Sequence, residues 1–294
     1  MTTSTFELAL IGGPWGRRLA PRRAWIDDLP WNAPLPALPA LPGLPARPAL
    51  PALPALPAPN DAIAARVVWT RTAFSEYASA AAFAEIAAAL LAAGAPIDLI
   101  AAAGDFVVDE IVHTELAARL AAALGGAVAL EVDLTRLVRP VTPAACRDPL
   151  LRAAELVVRT SCVGEAITVP MLKLAHRLAG APLIEAALAA IVADEAGHAQ
   201  LGGWFLDWAA PRLDDAARAH LGEVAGAAIR EFAPLVGAGC AASGLGVIAC
   251  DRYDPALAAA VTRNVVRPLA ARGIAVALPA FADGVMMEAG PAAA

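Results

Sequence analysis

The chain has few of the residues that mark a disulfide framework or a nucleic-acid surface. Its four cysteines show no CxxC spacing, so neither a zinc knuckle nor a disulfide framework is indicated. Lysine and arginine together number 22 against 28 acidic residues, and the net charge is −6. Because this balance provides no basic field for phosphates, we expect no nucleic-acid partner.

Signals for export and for membrane insertion are also absent from the pattern. The arginine pairs at 17–18 and 22–23 are not followed by an apolar stretch of the kind found in signal peptides. The apolar run 78–95 is interrupted by Glu85, and the run 232–250 contains several glycines and a proline. We therefore expect a cytoplasmic protein that does not span a membrane.

The sequence shows no pattern typical of β-strands, and alanine dominates its composition. Hydrophobic residues make up 59% of the 294 residues and charged residues only 17%. Alanine favours helix, and no run alternates apolar and polar residues as a half-buried strand would. The sequence predicts an all-α fold.

Histidine is rare, with four in the chain, yet two of the four lie in one repeated pattern. Asp-Glu-x-x-His occurs at residues 109–113 and again at 194–198. On a helix, the Glu and the His of each copy lie one turn apart on the same face and can reach one metal ion. Two such half-sites indicate two metal ions.

Both patterns lie on faces that are otherwise apolar, which indicates that they are buried. The two faces read Phe106, Glu110, His113, Ala117, Leu120 and Leu188, Ile191, Glu195, His198, Gly202, Phe205. Buried carboxylates and imidazoles without partners are costly, so a metal ion is the simplest explanation.

Two further carboxylates would complete a dinuclear site, and each can be located on its own apolar helical face. Glu76 lies on the face that runs from Trp69 to Leu90, whereas Glu85 is about half a turn round and faces away. In the segment 150–179, Glu165 is the only acid on its face, and Glu155 lies off it. The sequence thus predicts Glu76 and Glu165 as the remaining ligands.

The order of these residues indicates how the helices connect. The four ligand positions are separated by 34, 55 and 30 residues (110−76, 165−110, 195−165). The two shorter gaps suit antiparallel helix pairs, and the longer one suits a crossover.

Residues 68–210 resemble the ferritin-like superfamily of non-haem di-iron carboxylate proteins. The resemblance is carried by "SEYASAAAFAEIAAALLAAGAP", "DEIVHTELAARLA", "CVGEAITVP" and "DEAGHAQLG", and is greatest to a group of uncharacterised bacterial ferritin-like domain proteins. It implies a ferritin-like four-helix bundle. The residues on either side add a Pro-rich N-terminal extension and C-terminal extra helices.

The resemblance also implies roles for the metal-site residues. The metal ligands would be Glu76, Glu110, His113, Glu165, Glu195 and His198. The bridging carboxylates would be Glu110 and Glu165, or Glu195 with one of them. By analogy with the di-iron hydroxylases, Asp109 would orient His198 and Asp194 would orient His113.

The resemblance implies two Fe ions as cofactor, with Mn or a mixed Fe/Mn pair left open, and three kinds of activity. The first is a di-iron oxidase or oxygenase that uses dioxygen to hydroxylate, desaturate or N-oxidise a small apolar or carrier-bound substrate. The second is a ferroxidase or peroxide-scavenging iron protein, and the third a non-catalytic scaffold. No dinucleotide or flavin motif is visible, so electrons would come from a separate electron-donor protein or from the substrate. A homodimer stays open.

Three regions are expected along the chain. Residues 1–59 form an N-terminal extension whose part 33–59 is a polyproline-type tract, 60–213 form the bundle, and 214–294 form additional helices and a flexible tail. Asp214 and Asp254 are the expected N-caps of the fifth and sixth helices.

Four other residues receive structural interpretations. Cys162 is expected to be a small buried side chain, and His176 lies too far along its helix to reach the site. We expect His220 on the surface. Pro170 should kink the helix that carries Glu165.

Overall fold

The fold is all-α, apart from one pairing of two short strands. The computed structural model describes residues 13–35, 59–130, 132, 134, 137–232, 244–276, 281–282 and 285–286. Its helices are α1 Gly13–Asp27, α2 Pro59–Ala92, α3 Ile97–Ala123, α4 Pro149–Val157, α5 Ala166–Leu178, α6 Pro182–Ala209, α7 Asp215–Glu231, α8 Cys250–Ala260 and α9 Arg267–Ala270, with π-helical segments π1 Val158–Glu165 and π2 Val261–Val266 and a 3₁₀ turn Ala210–Arg212. The strands Phe281–Ala282 and Val285–Met286 pair antiparallel.

Helices α2 and α3 form an antiparallel hairpin with a short turn. Gly94 adopts φ +65°, a conformation that glycine reaches without steric cost. The Ala95 N–H then donates to the Leu90 carbonyl at 3.0 Å, which satisfies the end of α2 as glycine C-caps commonly do. Pro96 follows and precedes α3.

The third helical segment is continuous through α4, π1 and α5. Asp148 caps it by accepting hydrogen bonds from Leu150 N and Leu151 N, and Pro149 occupies the first turn, where no N–H is needed. The segment contacts α2 and α6, and α6 also contacts α3. Four helical segments therefore surround one interior.

A layer of buried acids and histidines divides that interior between two apolar clusters. Along α6, Leu183, Ile184 and Ile191 belong to one cluster, and Leu201 and Phe205 belong to the other. Glu195 and His198 lie between them and are buried. The polar layer is thus enclosed by apolar side chains at both ends.

Pro170 lies inside α5 without ending it, and another helix compensates for its missing N–H. A proline cannot donate to the carbonyl four residues back, here that of Ala166. The side-chain amide of Asn264, from π2, donates to this carbonyl at 3.2 Å. The expected kink stays a prediction, but the C-terminal helices do contact the segment that carries Glu165.

One expected helix start is confirmed and another is wrong. Asp214 caps α7 by accepting from Ala217 N, as predicted. The next helix begins at Cys250 instead of Asp254, with Ala249 as N-cap. The Asp254–Pro255 pair looks like a helix start, but Tyr253 N already donates to the Ala249 carbonyl at 2.8 Å, so Pro255 costs only one hydrogen bond inside the helix.

Parts of the predicted organisation lie outside the described residues. These include residues 1–12 and 36–58 of the N-terminal extension and residues 284 and 287–294 of the expected tail. The described residues 13–35 include Ile26, which is fully buried against α3. The division of the chain at 59 and 213 stays a prediction.

Within the part of the chain that the structure describes, one helix is long and apolar enough to span a membrane. The stretch Ile63–Ala92 has a window of mean hydropathy 1.2. Core helices of water-soluble proteins have the same composition and length. This helix carries the buried Glu76.

Candidate metal centre

The four helical segments bring together the six residues expected from helical spacing, and all six are buried. They are Glu76 from α2, Glu110 and His113 from α3, Glu165 from π1, and Glu195 and His198 from α6. The structure thus shows a buried Glu/His cluster that could hold a metal ion. The role of each residue as a ligand stays a prediction.

Each imidazole faces the glutamate of the opposite pattern as well as its own. His113 Nδ1 lies 3.2 Å from Glu195 Oε1, and His198 Nδ1 lies 3.1 Å from Glu110 Oε1. His198 Nδ1 also lies 2.8 Å from Glu195 Oε2, and the two ring centroids are 6.1 Å apart. The two carboxylates therefore lie between the two rings.

The candidate ligand atoms fall into two overlapping groups. Glu76, Glu110, His113 and Glu195 form the first, and Glu165, Glu195 and His198 form the second. Within each group the ligand atoms lie within 4.8 Å of one another. Glu195 belongs to both groups, so its two oxygens can serve different partners.

Several buried atoms of the cluster have no hydrogen-bond partner among the described residues. They are both carboxylate oxygens of Glu110, one of Glu195, Nδ1 of His113 and both ring nitrogens of His198. Their approaches of about 3 Å therefore lack hydrogen-bond geometry. An unsatisfied buried polar group costs about 1–3 kcal/mol. Since all of these except His198 Nε2 converge on the cluster interior, a bound cation fits the donor set.

The protonation of the outer carboxylates also fits a cation site. Burial raises the pKa of Glu76 well above its ordinary value, and the charges of Glu110 and Glu195 raise it further. Burial, followed by the same two neighbours, likewise raises the pKa of Glu165. Without a cation, the surroundings of the outer carboxylates favour their protonated forms.

For Glu195 and the two imidazoles, the neighbouring groups outweigh the effect of burial on the pKa and favour the charged forms. Burial raises the pKa of Glu195, but the close imidazoles of His113 and His198 outweigh it and bring the value to about 2. Burial lowers the pKa of His198, but Asp109, Glu110 and Glu195 raise it to about 12. The pKa of His113 rises for the same kind of reason, with Asp194 as the largest raising partner.

Each aspartate lies against the imidazole of the opposite pattern, as the resemblance implies. Asp194 Oδ2 is 3.2 Å from His113 Nε2, and Asp109 Oδ2 is 3.5 Å from His198 Nε2. A carboxylate in this position favours a proton on Nε2 and leaves Nδ1 free to bind a cation. The Nδ1 atoms are the ones that face the glutamates.

Aromatic rings surround the His198 side of the cluster. Phe106 lies 4.3 Å and Phe83 lies 5.2 Å from the His198 ring, centroid to centroid. Phe83 is fully buried and Phe106 partly so. These rings keep water away from His198.

Comparison of the chain with protein-family models, with curated proteins and with solved structures gives no match.

Residues that the sequence interpretation set aside lie outside the cluster. Glu85 is exposed and pairs with Arg152 at 3.0 Å. Cys162 is a buried free cysteine, and burial raises the pKa of its thiol to about 12. His176 is in the last turn of α5 and is in neither ligand group.

The expectation that His220 lies on the surface holds only in part. Its side chain is 25% exposed, and Nε2 lies 2.6 Å from Oε1 of the fully buried Glu155. Thr142 also donates to Glu155 through its backbone N–H and its hydroxyl. Glu155 lies off the Glu165 face because it faces α7 and the loop before α4. Its place off that face was the only sequence signal for its pairing with His220.

Sequence reasoning also missed Arg22. This residue of α1 lies 2.5 Å from Asp109 Oδ1, although 87 positions separate the two residues. Burial raises the pKa of Asp109, but the nearby His198 imidazole and the hydrogen bond from Arg22 bring it below its ordinary value. No local pattern around Arg22 indicates this contact.

Proposed function

We propose that the chain is a ferritin-like di-iron carboxylate protein that uses dioxygen to oxidise a small apolar or carrier-bound substrate. The observation that carries the proposal is the buried cluster of four glutamates and two histidines, whose unpaired oxygens and Nδ1 atoms converge. Bundle proteins of the di-iron class place such residues on facing helices.

The contacts support an assignment of roles within this proposal. Glu110 and Glu195, which lie between the two imidazoles, would be the bridging carboxylates. Glu76 and Glu165 would be the terminal carboxylates, one in each ligand group. Glu110 also belongs to one group only, but it lies near both imidazoles. Of the alternatives raised by the resemblance, the geometry favours Glu195 with Glu110.

Charge balance supports two divalent ions. Four ionised carboxylates carry −4, two divalent ions carry +4, and two neutral imidazoles add nothing. Oxygen and imidazole ligands suit iron or manganese, and the set contains no thiolate. We propose two Fe ions, with Mn or a mixed pair as the alternatives that metal analysis would separate.

The protein's own contribution would be to hold the ions and exclude water. Two ferrous ions would supply the electrons with which dioxygen is reduced. Asp109 and Asp194 would keep the imidazole Nδ1 atoms available to bound ions, and Phe83 and Phe106 keep the His198 side apolar. A binding site for an apolar substrate needs apolar walls, and the His198 side of the cluster has them.

The proposed partners follow from the same features. The net charge of −6 argues against nucleic acid, and a separate electron-donor protein would complete the cycle. We propose a cytoplasmic location. Whether the protein forms a homodimer is left open.

A single-turnover experiment would separate an oxygenase from a ferroxidase. The protein would be loaded without oxygen with two ferrous ions per chain, then mixed with dioxygen while iron oxidation and oxygen uptake are followed. We expect oxidation of the two bound ions and no further uptake when excess ferrous iron is added. Continued oxidation of the excess into a mineral would contradict an oxygenase and support the ferroxidase.

A further inference from the structure

An arginine outside the four packed segments reaches the edge of the candidate metal centre. Arg22 of α1 holds Asp105 Oδ1 at 2.7 Å and Asp109 Oδ1 at 2.5 Å, each through a different terminal nitrogen. The two aspartates lie one turn apart on α3, where their charges repel. One guanidinium thus bridges both carboxylates.

The same aspartate contacts a candidate metal ligand through its other oxygen. Asp109 Oδ2 lies 3.5 Å from His198 Nε2, at ion-pair distance but without hydrogen-bond geometry. A path of charge contacts therefore runs from Arg22 through Asp109 to His198. The equivalent residue for His113 has a different environment. Asp194 is 41% exposed, and none of the described arginines or lysines forms an ion pair with it.

Helix α1 is held on α3 by contacts that do not involve Asp109. Ile26 is fully buried, Arg23 Nε lies 2.7 Å from Glu115 Oε2, and Arg119 Nη1 lies 2.7 Å from Asp27 Oδ1. The Arg22 contact is therefore not required simply to attach the helix. The Arg22–Asp109 ion pair is the contact that links α1 to the aspartate beside His198.

We propose that Arg22 is a positioning residue of the metal centre, and that docking of α1 is coupled to metal binding on the His198 side. The inference rests on the proposed function, because it requires that the cluster binds metal. Arg22 holds Asp109 against the repulsion of Asp105, and Asp109 in turn sets the ring plane and the proton of His198. Coupling of this kind is reciprocal, so metal on the His198 side also stabilises the docked helix.

The two metal positions are then unequal. The first depends on His198, whose partner Asp109 is covered by Arg22. The second depends on His113, whose partner Asp194 is 41% exposed. Loss of Arg22 would affect the first position alone. A purely structural role for Arg22 would instead weaken both positions or neither.

Stepwise ferrous titration of the full chain without oxygen would test this, with Arg22→Ala, Arg22→Lys and the control Arg23→Ala. Arg23→Ala removes an ion pair between the same two helices without touching Asp109. We expect Arg22→Ala to lower the affinity for one of the two ferrous ions by about 10–100-fold. This is the usual effect of removing a residue that supports a metal ligand without touching the ion. Arg22→Lys should restore part of the loss, and Arg23→Ala should leave both affinities within about twofold of the wild-type values.

A double-mutant cycle with Asp109→Asn tests the path itself. Arg22→Ala should have no further effect on metal affinity in the Asp109→Asn protein, because the path is already broken. Additive losses would overturn the proposal, as would equal losses from Arg22→Ala and Arg23→Ala, or unchanged affinities in Arg22→Ala. If Arg22→Ala does not fold, Arg22→Gln takes its place in every arm.

Failure of the proposed function gives a different result. A wild-type chain that binds no metal would overturn both proposals at once. A wild-type chain with two ions, together with an Arg22→Ala variant of unchanged affinities, would overturn only the role of Arg22.

Discussion

His113 and Asp194 belong to different copies of the Asp-Glu-x-x-His pattern, yet Asp194 Oδ2 lies 3.2 Å from His113 Nε2. The other ring nitrogen faces Glu195 Oε1 at 3.2 Å. Both ring nitrogens of His113 therefore face carboxylates of the opposite helix. An aspartate that orients a metal-binding imidazole contributes to affinity without touching the ion.

Replacing Asp194 with asparagine tests this relationship. We expect Asp194→Asn to weaken binding of one ferrous ion by about 10–100-fold, because the ring loses the carboxylate that sets its proton on Nε2. Asp207→Asn, an exposed aspartate of the same helix that pairs with Arg272, is the control. Metal titration of both variants would check the prediction, and equal affinities in the two would contradict it.

Metal binding should release protons. In the metal-free protein, the pKa values of Glu76, Glu165, His113 and His198 are all raised, which favours the protonated form of each group. A metal ion requires them deprotonated, so protons should be released on binding and affinity should rise with pH. Calorimetric titration in two buffers of different ionisation enthalpy would measure the release.

The absence of proton release would show that the groups are already deprotonated before metal binds. That result would contradict the charge state described for the cluster.

Much of the cluster could be predicted from sequence because helical spacing is a local property. A glutamate on an otherwise apolar helical face, such as Glu76 or Glu165, is informative wherever the helix lies in the fold. The same argument places Glu85 outside, and the structure finds it exposed. The ligand roles and the ferritin-like bundle stay predictions.

What could not be predicted depends on contacts between distant segments. The Glu155–His220 pair spans 65 positions and the Arg22–Asp109 pair spans 87, and neither has a local signal. The helix start at Cys250 was missed because Asp254 and Pro255 resemble a start signal more strongly than Ala249 does. The π-helical turn at Val158–Glu165 has no spacing pattern that a 3.6-residue period would reveal.

Two neighbouring glycines of α6 should respond differently to alanine. A Cβ at Gly202 would lie 2.6 Å from Cys162 Sγ and 3.1 Å from Cys162 N, whereas a Cβ at Gly203 meets nothing nearer than Arg272 Nη2 at 3.9 Å. We expect Gly202→Ala to lower the free energy of unfolding by about 1–3 kcal/mol through overpacking. Gly203→Ala should leave it unchanged or raise it by up to about 1 kcal/mol through helix propensity.

Urea unfolding of the two variants would measure these changes. Equal stability of Gly202→Ala and Gly203→Ala would contradict the close approach of α6 to π1.

The buried Glu155 network should make stability depend on pH in acid. Burial raises the pKa of Glu155, but hydrogen bonds from Thr142 and His220 bring it below the ordinary 4.5. The stabilisation is therefore fully present above about pH 4.5 and is lost as pH falls through the lower folded-state value. Thr142→Val should cost about 1.5–3 kcal/mol at neutral pH, because it removes a donor from a buried charge.

That cost should shrink in acid, as Glu155 becomes protonated in both proteins. Thr262→Val is the matched control, since this exposed hydroxyl bonds only the Ala258 carbonyl of its own helix, and its effect should stay within about 0.5 kcal/mol. Unfolding curves at several pH values would reveal the difference, and a pH-independent cost for Thr142→Val would contradict it.

Metal stoichiometry tests the central claim most directly. The full chain and the variants Glu110→Gln, Glu195→Gln and Glu85→Gln would be loaded with ferrous iron without oxygen, freed of excess, and analysed for metal per folded chain. We predict two ions in the wild type and in Glu85→Gln, and fewer than two in Glu110→Gln and Glu195→Gln. Two ions retained by either of those variants, or none in the wild type, would contradict the account.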